Sequence, residues 1–512
     1  MIATLARRPA IGLAALLAIA GLQGCTQQRD TGKFDPYPTI VLLVADDLGL
    51  DVAPCHAPDS VMKHLAAKCA TSLVFDRAYT DPICTPSRAS LMTGRHPFRT
   101  GAGDVRERSP KLSLDEETIA ERIKRASPGN YQTAAFGKWH LADDENGADR
   151  NPNLQGFDYF EGTPRQHDTY RYYDYDWQRN GVSIGQQSTY RTTRIVDAVI
   201  EHAHQTDATG PGFYLVNFTN PHKPYHNPPA ALHTQGELPA TALREVAGRE
   251  PGPGEYHANR REPRLDRQYD AMLEALDTEI ERLVEEIDRV SEGPVIYIFF
   301  GDNGSAAEVY RGPSQAGYRA KGSLYEGGIR IPIQIWTSNG DQALVHSGRT
   351  DALVELSDLF LTITDLTGAE APATGNDGAV LDSMSFANVL HDPASPSGRK
   401  YVYVERGNLD KLPFAYGLID EAGYKLILRD PVRMTGYAGN VLMEAYNTAK
   451  DPGESDNLLL SPCHADLGRI KAMLAEISRL HASEPADKTS FSPDPYEAHL
   501  EDLAASCAIN AQ

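Results

Sequence analysis

The chain has 512 residues, enough for a large core, and a formal net charge of −21. Its 41% hydrophobic and 23% charged content is that of a globular protein, not of a disordered or fibrous one. The acidic balance argues against a nucleic-acid partner, which is met by a basic face, but not against a small anionic substrate, because a local group of cations overrides the global sign.

In chain order, residues 1–25 (MIATLARRPAIGLAALLAIAGLQGC) place Arg7-Arg8 before the apolar run Ile11 to Leu22, then Gly24-Cys25. This is the layout of a secretory signal segment, too short for a comfortable membrane span. LQGC resembles a bacterial lipobox with Cys25 as the lipidated residue. Cleavage and release without lipid is the alternative, since Gln23 is unusual there. The expected location is extracytoplasmic, in a bacterial periplasm or cell envelope, with membrane attachment only through Cys25. In that oxidising setting Cys55, Cys69, Cys463 and Cys507 can form two disulfides, most simply Cys55–Cys69 and Cys463–Cys507, although spacing leaves other pairings open. Cys84 is then the odd thiol.

Four apolar runs each end in polar chemistry. TIVLLVADDLG ends in Asp46-Asp47, YQTAAFGKWHL in Lys138 and His140, GFYLVNFTNPHKPY in His222, and PVIYIFFGDNG in Asp302-Asn303. Such runs read as buried strands of a mostly parallel sheet. Between them lie helical patterns, the clearest placing Leu265, Tyr269, Leu273, Leu276, Ile280, Val284 and Ile287 on one face. Alternating strands and helices predict an α/β fold, and ligands of such sheets sit beyond the carboxyl ends of the strands. The polar residues above all lie there.

Paired carboxylates at a strand end repel unless something cationic neutralises them. Asp46-Asp47 alone reads equally well as a cap or turn. With Asp302-Asn303 repeating the arrangement, the set favours a hard cation, Ca²⁺ or Mg²⁺, and no His-Cys cluster suggests zinc. Lys138 and His140, two apart in an extended segment, face the same way. A lysine beside a histidine keeps the imidazole neutral, as a general base requires. Prolines restrict the backbone around His222, and Lys321 lies beside Gly322. Cys84 stands where a loop turns into a helix at CTPSRASLMTG. Backbone N–H groups there favour an anion, and Arg88 adds a planar donor for sulfate or phosphate.

The stretch Cys84 to Arg95, CTPSRASLMTGR, resembles the signature of the type I sulfatases of the alkaline-phosphatase-like superfamily. Cys84, Pro86, Ser87, Arg88, Leu91, Gly94 and Arg95 match. ADDLG, GKWHL, PHKP, GDNG and KGSLYEGGIRIP resemble that family's other blocks in their order. EAYNTAKDPGESDNLL is similar to its C-terminal block, with Thr448 in place of Leu. The resemblance implies that a maturation enzyme converts Cys84 to Cα-formylglycine. The hydrated aldehyde would attack the sulfur of a sulfate ester with S–O cleavage and pass through a sulfo-enzyme intermediate. It implies Asp46, Asp47, Asp302 and Asn303, with residue 84, as ligands of Ca²⁺ or Mg²⁺. Arg88 would hold residue 84, and Lys138 and Lys321 would contact sulfate oxygens. His140 would be the base of the elimination step, and His222, with Lys321, the acid for the leaving alcohol. The implied substrate is a sulfated carbohydrate or an aryl sulfate.

The same resemblance implies a catalytic domain over residues 33–397, with a mixed, mostly parallel central sheet flanked by helices. A smaller C-terminal α+β domain over residues 398–512 would carry KYVYVERG and YKLILRD in an antiparallel sheet. A phosphonate monoester or phosphodiester hydrolase using the same formylglycine is the alternative. A binding protein on a dead scaffold would have lost metal or catalytic positions, and none is lost. The loops Gly162 to Gly181 and Tyr225 to Arg264 are the candidates for substrate choice. The aromatics of the first either stack on a ring or pack on the scaffold.

Overall fold

The computed structural model describes residues 37–510 apart from stretches at 106–108, 110, 128–129, 166–170, 207–209, 239–262, 314–318, 342, 369–373, 408–412, 431–441 and 485–490. The signal segment with Cys25, and much of the loop before Arg264, lie outside the described residues. Among the described residues no helix is long and apolar enough to cross a membrane.

Among the described residues the main sheet has eleven strands: β1 Thr39–Ala45, β2 Leu73–Tyr79, β3 Gln132–Lys138, β4 Tyr159–Thr163, β5 Tyr175–Arg179, β6 Val182–Gln187, β7 Gly212–Asn217, β8 Val295–Gly301, β9 Arg330–Thr337, β10 Gly348–Thr350 and β11 Val354–Glu355. Its order is β10-β2-β9-β8-β1-β7-β3-β4-β5-β6, with β11 also on β2. The centre is parallel, β8, β1, β7, β3 and β4 running together. β9 is antiparallel to both β8 and β2, so β2 points the same way as the centre.

The continuous apolar run of β1 has a direct cause. Ile40, Leu42 and Val44 enter the core on one face of the sheet, and Val41, Leu43 and Ala45 enter the core on the other. A strand covered on both sides has no polar face to show. The helix Asp266–Val290 covers the second face with Tyr269, Leu273, Leu276, Ile280, Val284 and Ile287, six of the seven residues expected on its stripe. Leu265 packs there from just outside the helix.

A second sheet, β12 Tyr401–Gly407, β13 Pro413–Asp420, β14 Tyr424–Arg429 and β15 Met443–Asn447, is antiparallel throughout. KYVYVERG and YKLILRD supply β12 and β14, as expected. The helices Leu467–Ala482 and Asp494–Asn510 pack on one face of this sheet through Ile470, Met473, Leu474, Ile477, Tyr496 and Leu500. The last helix, Asp494–Asn510, is thus docked. Disulfides join Cys55 to Cys69 and Cys463 to Cys507, the simplest pairing, and leave Cys84 free and buried.

Candidate active site

The carboxyl ends of five strands deliver the site. Asp46 and Asp47 follow β1, Cys84 lies beyond β2, Lys138 ends β3, Asn217 ends β7, and Asp302 and Asn303 follow β8. Cys84 opens the helix Cys84–Thr93, every residue of which is buried. The local backbone is unusual at three places. Asp47 and His140 are non-glycine residues in the left-handed region, with φ of 68° and 66°, conformations that persist where the surroundings impose them. Gly137 has φ of 83°, and a Cβ there would lie 2.0 Å from the Asn217 carbonyl oxygen. Only glycine lets the ends of β3 and β7 approach so closely.

Ligand atoms of Asp46, Asp47, Cys84 and Asp302 lie within 4.8 Å of one another, all buried. The Cys84 Sγ donates towards Asp46 Oδ1 at 3.3 Å and Asp47 Oδ1 at 3.8 Å. Lys138 Nζ is 2.6 Å from Asp46 Oδ2 and 3.6 Å from Sγ. From the other side Lys321 Nζ reaches both Asp47 oxygens at 2.7 and 2.9 Å and Sγ at 3.7 Å. Arg88 grips Asp302 Oδ2 through Nε at 3.0 Å and Nη2 at 2.8 Å. Its Nη1 donates to the Lys138 carbonyl and to Asn217 Oδ1, each at 2.9 Å. The guanidinium therefore ties together the ends of β3, β7 and β8.

Asn303 tests whether the site fits a cation. Its Nδ2 donates to Asp47 Oδ1 at 2.8 Å, while its buried Oδ1 has no hydrogen-bond partner among the described residues. An orphaned amide oxygen beside three carboxylates is the oxygen-rich donor set that a hard divalent cation takes. The residues fit Ca²⁺ or Mg²⁺.

The electrostatics divide the groups. Burial pushes Asp302 up, and the neighbouring Asp46 charge adds to that. Burial would raise Asp47 too, but Lys321, His222 and Lys138 outweigh it and hold that carboxyl well below the usual range. Burial, with the Asp302 and Asp46 charges, drives the Cys84 thiol well above its ordinary value. A nucleophilic cysteine needs the opposite shift. Burial, then Lys138, Lys111 and Arg88, press His140 well below its ordinary value, so the ring is neutral. Neither of its nitrogens has a hydrogen-bond partner among the described residues.

Residues 38–369 match the sulfatase family profile.

The chain belongs to the sulfatase family.

It is a sulfuric ester hydrolase. Over 90% of its length it is 25% identical to 90% of arylsulfatase G of Rattus norvegicus. Over 82% it is 29% identical to 83% of arylsulfatase A of Homo sapiens. In fold it is similar to the structure of BT4656 in complex with its substrate D-glucosamine-2-N,6-O-disulfate, with a TM-score of 0.67, 20% identity, and 88% and 99% of the two chains covered. It is also similar to Ps i-CgsB in complex with k-i-k-neocarrahexaose, with a TM-score of 0.68, 19% identity, and 91% and 98% covered. These relatives lend no support to the phosphonate or phosphodiester alternative.

All the expected residues of this sulfatase stand at one end of the sheet. His222 follows β7, with Nδ1 2.5 Å from the Lys223 carbonyl and Nε2 3.7 Å from Asp47 Oδ2. His140 lies two residues past the end of β3 in a left-handed turn, so simple strand alternation does not describe its relation to Lys138. Asn217 and Lys111 were not foreseen. Asn217 had a signal, being the polar end of an apolar strand. Lys111 had none, because only the fold brings it near His140. Of the aromatics in the Gly162 to Gly181 loop, Tyr172, Tyr175 and Trp177 are buried in the scaffold and Tyr173 is exposed. Packing thus accounts for those three.

Proposed function

We propose that this sulfatase hydrolyses the sulfate ester of a sulfated carbohydrate or an aryl sulfate, with residue 84 as formylglycine. The observation that carries the reading is the placement of Cys84 Sγ between two ammonium groups, at 3.6 and 3.7 Å, and against carboxylates that keep it an unactivated thiol. A hydrated aldehyde at the same atom position would put an oxygen nucleophile where the cations converge. The saccharide ligands of the two structural relatives support a carbohydrate, and the curated relatives an aryl sulfate.

The chain's own groups have distinct tasks. A hydroxyl on residue 84 attacks sulfur as the S–O bond to the alcohol breaks. Lys138 and Lys321 meet the charge spreading over the sulfate oxygens, fixed in place before the reaction starts. His222 offers Nε2 for proton delivery to the leaving oxygen, its Nδ1 being engaged by the Lys223 carbonyl. His140, kept neutral, takes the proton of the second hydroxyl as sulfate departs by C–O cleavage and the aldehyde returns. Asp46, Asp47, Asp302 and Asn303 would hold Ca²⁺ or Mg²⁺, which supplies further positive charge to the sulfate. Catalysis is assigned to residues 33–397 and a supporting role to residues 398–512. The N-terminal sequence supports export to the cell envelope with a lipid at Cys25, and the CTPSR motif supports action of a maturation enzyme.

The test is the mass of the tryptic peptide Ala78–Arg88 from protein secreted by its native host. An aldehyde at residue 84 is the expected result. An unmodified cysteine in protein that hydrolyses sulfate esters would overturn the mechanism.

A further inference from the structure

We infer that Tyr172 is a positioning residue for His222, an inference that rests on the reading of His222 as the acid for the leaving alcohol. Tyr172 comes from the loop whose aromatics were candidates for substrate stacking, yet it is 4% exposed. Its single hydroxyl proton is shared between two backbone carbonyls, that of His222 at 2.6 Å and that of Thr219 at 2.9 Å. The His222 N–H closes the same turn onto Thr219 O at 2.9 Å. One phenol therefore locks both ends of the four-residue turn that carries the histidine.

The lock is itself braced. The His226 ring packs tilted against Tyr172, at 3.9 Å between centroids and 35° between planes. His226 Nδ1 engages the Pro224 carbonyl at 2.9 Å, and Nε2 lies 3.3 Å from the Tyr190 hydroxyl. Tyr190 in turn takes a hydrogen bond from Asn220 Nδ2 at 2.9 Å. The segment from Thr219 to Pro224 is thus held by Tyr172, Tyr190, His226 and Thr192, whose Oγ1 donates to Asn220 Oδ1 at 2.7 Å, and Tyr172 bonds the His222 backbone. Within the segment, Lys223 O fixes the imidazole Nδ1 and aims Nε2 towards Asp47. Loss of the phenol takes from the turn the one proton that its Thr219 and His222 carbonyls share, a cost that a shift of the turn relieves. A shift of about 1 Å in a proton donor costs on the order of 10²-fold in rate.

A merely structural tyrosine would lower stability, or lower all rates alike. A positioning residue for an acid has another signature, because the acid matters most when the leaving group is poor. The experiment measures kcat on 4-nitrophenyl sulfate and on phenyl sulfate for the wild type, Tyr172→Phe, His222→Ala and the double variant, with thermal melts. The His222→Ala change is expected to slow phenyl sulfate far more than 4-nitrophenyl sulfate. Tyr172→Phe should do the same at smaller size, about tenfold on phenyl sulfate, with KM little changed. In the double variant it should add nothing, since residues acting through one group are not additive. If His222→Ala shows no leaving-group dependence, the acid role falls and the inference with it. If His222→Ala shows it and Tyr172→Phe slows both esters equally, or adds in full to His222→Ala, the inference alone is overturned. Should Tyr172→Phe not fold, His226→Phe keeps a ring against Tyr172 and removes the bonds to Pro224 O and the Tyr190 hydroxyl. It is expected to show the same selectivity, more weakly, and equal slowing of both esters would overturn the inference.

Discussion

Two buried charge clusters sit at opposite ends of the Cys84–Thr93 helix, and they are built from similar parts. At its start Asp46, Asp47 and Asp302 meet Arg88, Lys138 and Lys321. Beyond its end Glu355, Asp358 and Asp382 meet His96, Arg99 and Arg399. In the second cluster the charges close on one another. Arg399 bonds Asp358 and Glu355 as well as the Tyr401 and Asp382 carbonyls, and Arg99 joins Asp382 to Glu484. In the first, both lysines and two carboxylates converge on a single atom, Sγ of residue 84. The Asn303 Oδ1 and both His140 nitrogens there keep hydrogen-bonding capacity in hand. Buried charge alone does not distinguish a catalytic site from a joint; convergence with unspent donors and acceptors does.

The sharpest way to break that contrast is Asp302→Asn. Burial and Asp46 disfavour the Asp302 charge, while Arg88, which bonds it through two nitrogens, favours it; the amide removes the charge and keeps the shape. Activity is expected to fall by roughly 10³-fold or more, the scale of losing a fixed transition-state group. In chelator-treated protein the melting temperature should change little, relief of burial and of Asp46 offsetting the weakened bond to Arg88, and the increase on adding Ca²⁺, expected for a ligand of the folded state alone, should shrink. Calorimetry with and without Ca²⁺ beside a sulfate-release assay decides. A large loss of stability without metal would place Asp302 with the joint.

Arg399→Met is the mirror experiment. Arg399 is buried, and removing it strands the Asp358 and Glu355 charges. Breaking a buried pair from one side costs about 3–5 kcal/mol, read as a lower urea midpoint. The fraction that remains folded should keep its kcat/KM. A fall in kcat/KM without loss of stability would make the second cluster part of the catalytic apparatus.

The sequence carried these two clusters very unequally. Most of the site was legible because Asp46, Asp47, Lys138, His140, His222, Asp302 and Asn303 end apolar runs, and a parallel sheet gathers strand ends wherever they lie in the chain. Cys84 was legible through its motif. Arg88 was legible as a residue but not in its partners, since its grip on Asn217 and the Lys138 carbonyl depends on Gly137 letting two strands close together. The second cluster gave no sign. His96, Glu355, Asp382 and Arg399 are scattered over some 300 positions, end no apolar run, and become neighbours only in the folded chain. The Tyr172 lock was hidden likewise, since a tyrosine that bonds a backbone turn reads in sequence as one more aromatic in a loop.

The smallest expected effect concerns the seam between the clusters. Asp81 precedes the Cys84 helix and accepts from Ser90 Oγ at 3.1 Å. Its Oδ1 also receives the Glu405 N–H from β12 at 3.0 Å. Burial raises Asp81 to about 7, against the lowering effect of that N–H. Burial and the Asp81 charge raise Glu405 to about 8, although the Tyr403 hydroxyl bonds it at 2.8 Å. Both carboxyls thus hold protons in the folded chain that the unfolded chain releases near pH 4. The folded state binds more protons between about pH 4 and pH 8, so these groups make stability fall as pH rises through that window. Glu405→Gln cannot ionise and should flatten that fall. Its melting temperature is expected to exceed the wild type's by about 2 °C or more at pH 8.5, with little difference at pH 5. An unchanged slope would mean that the seam is already ionised and paired at neutral pH, and that it belongs with the closed joint rather than with the strained site.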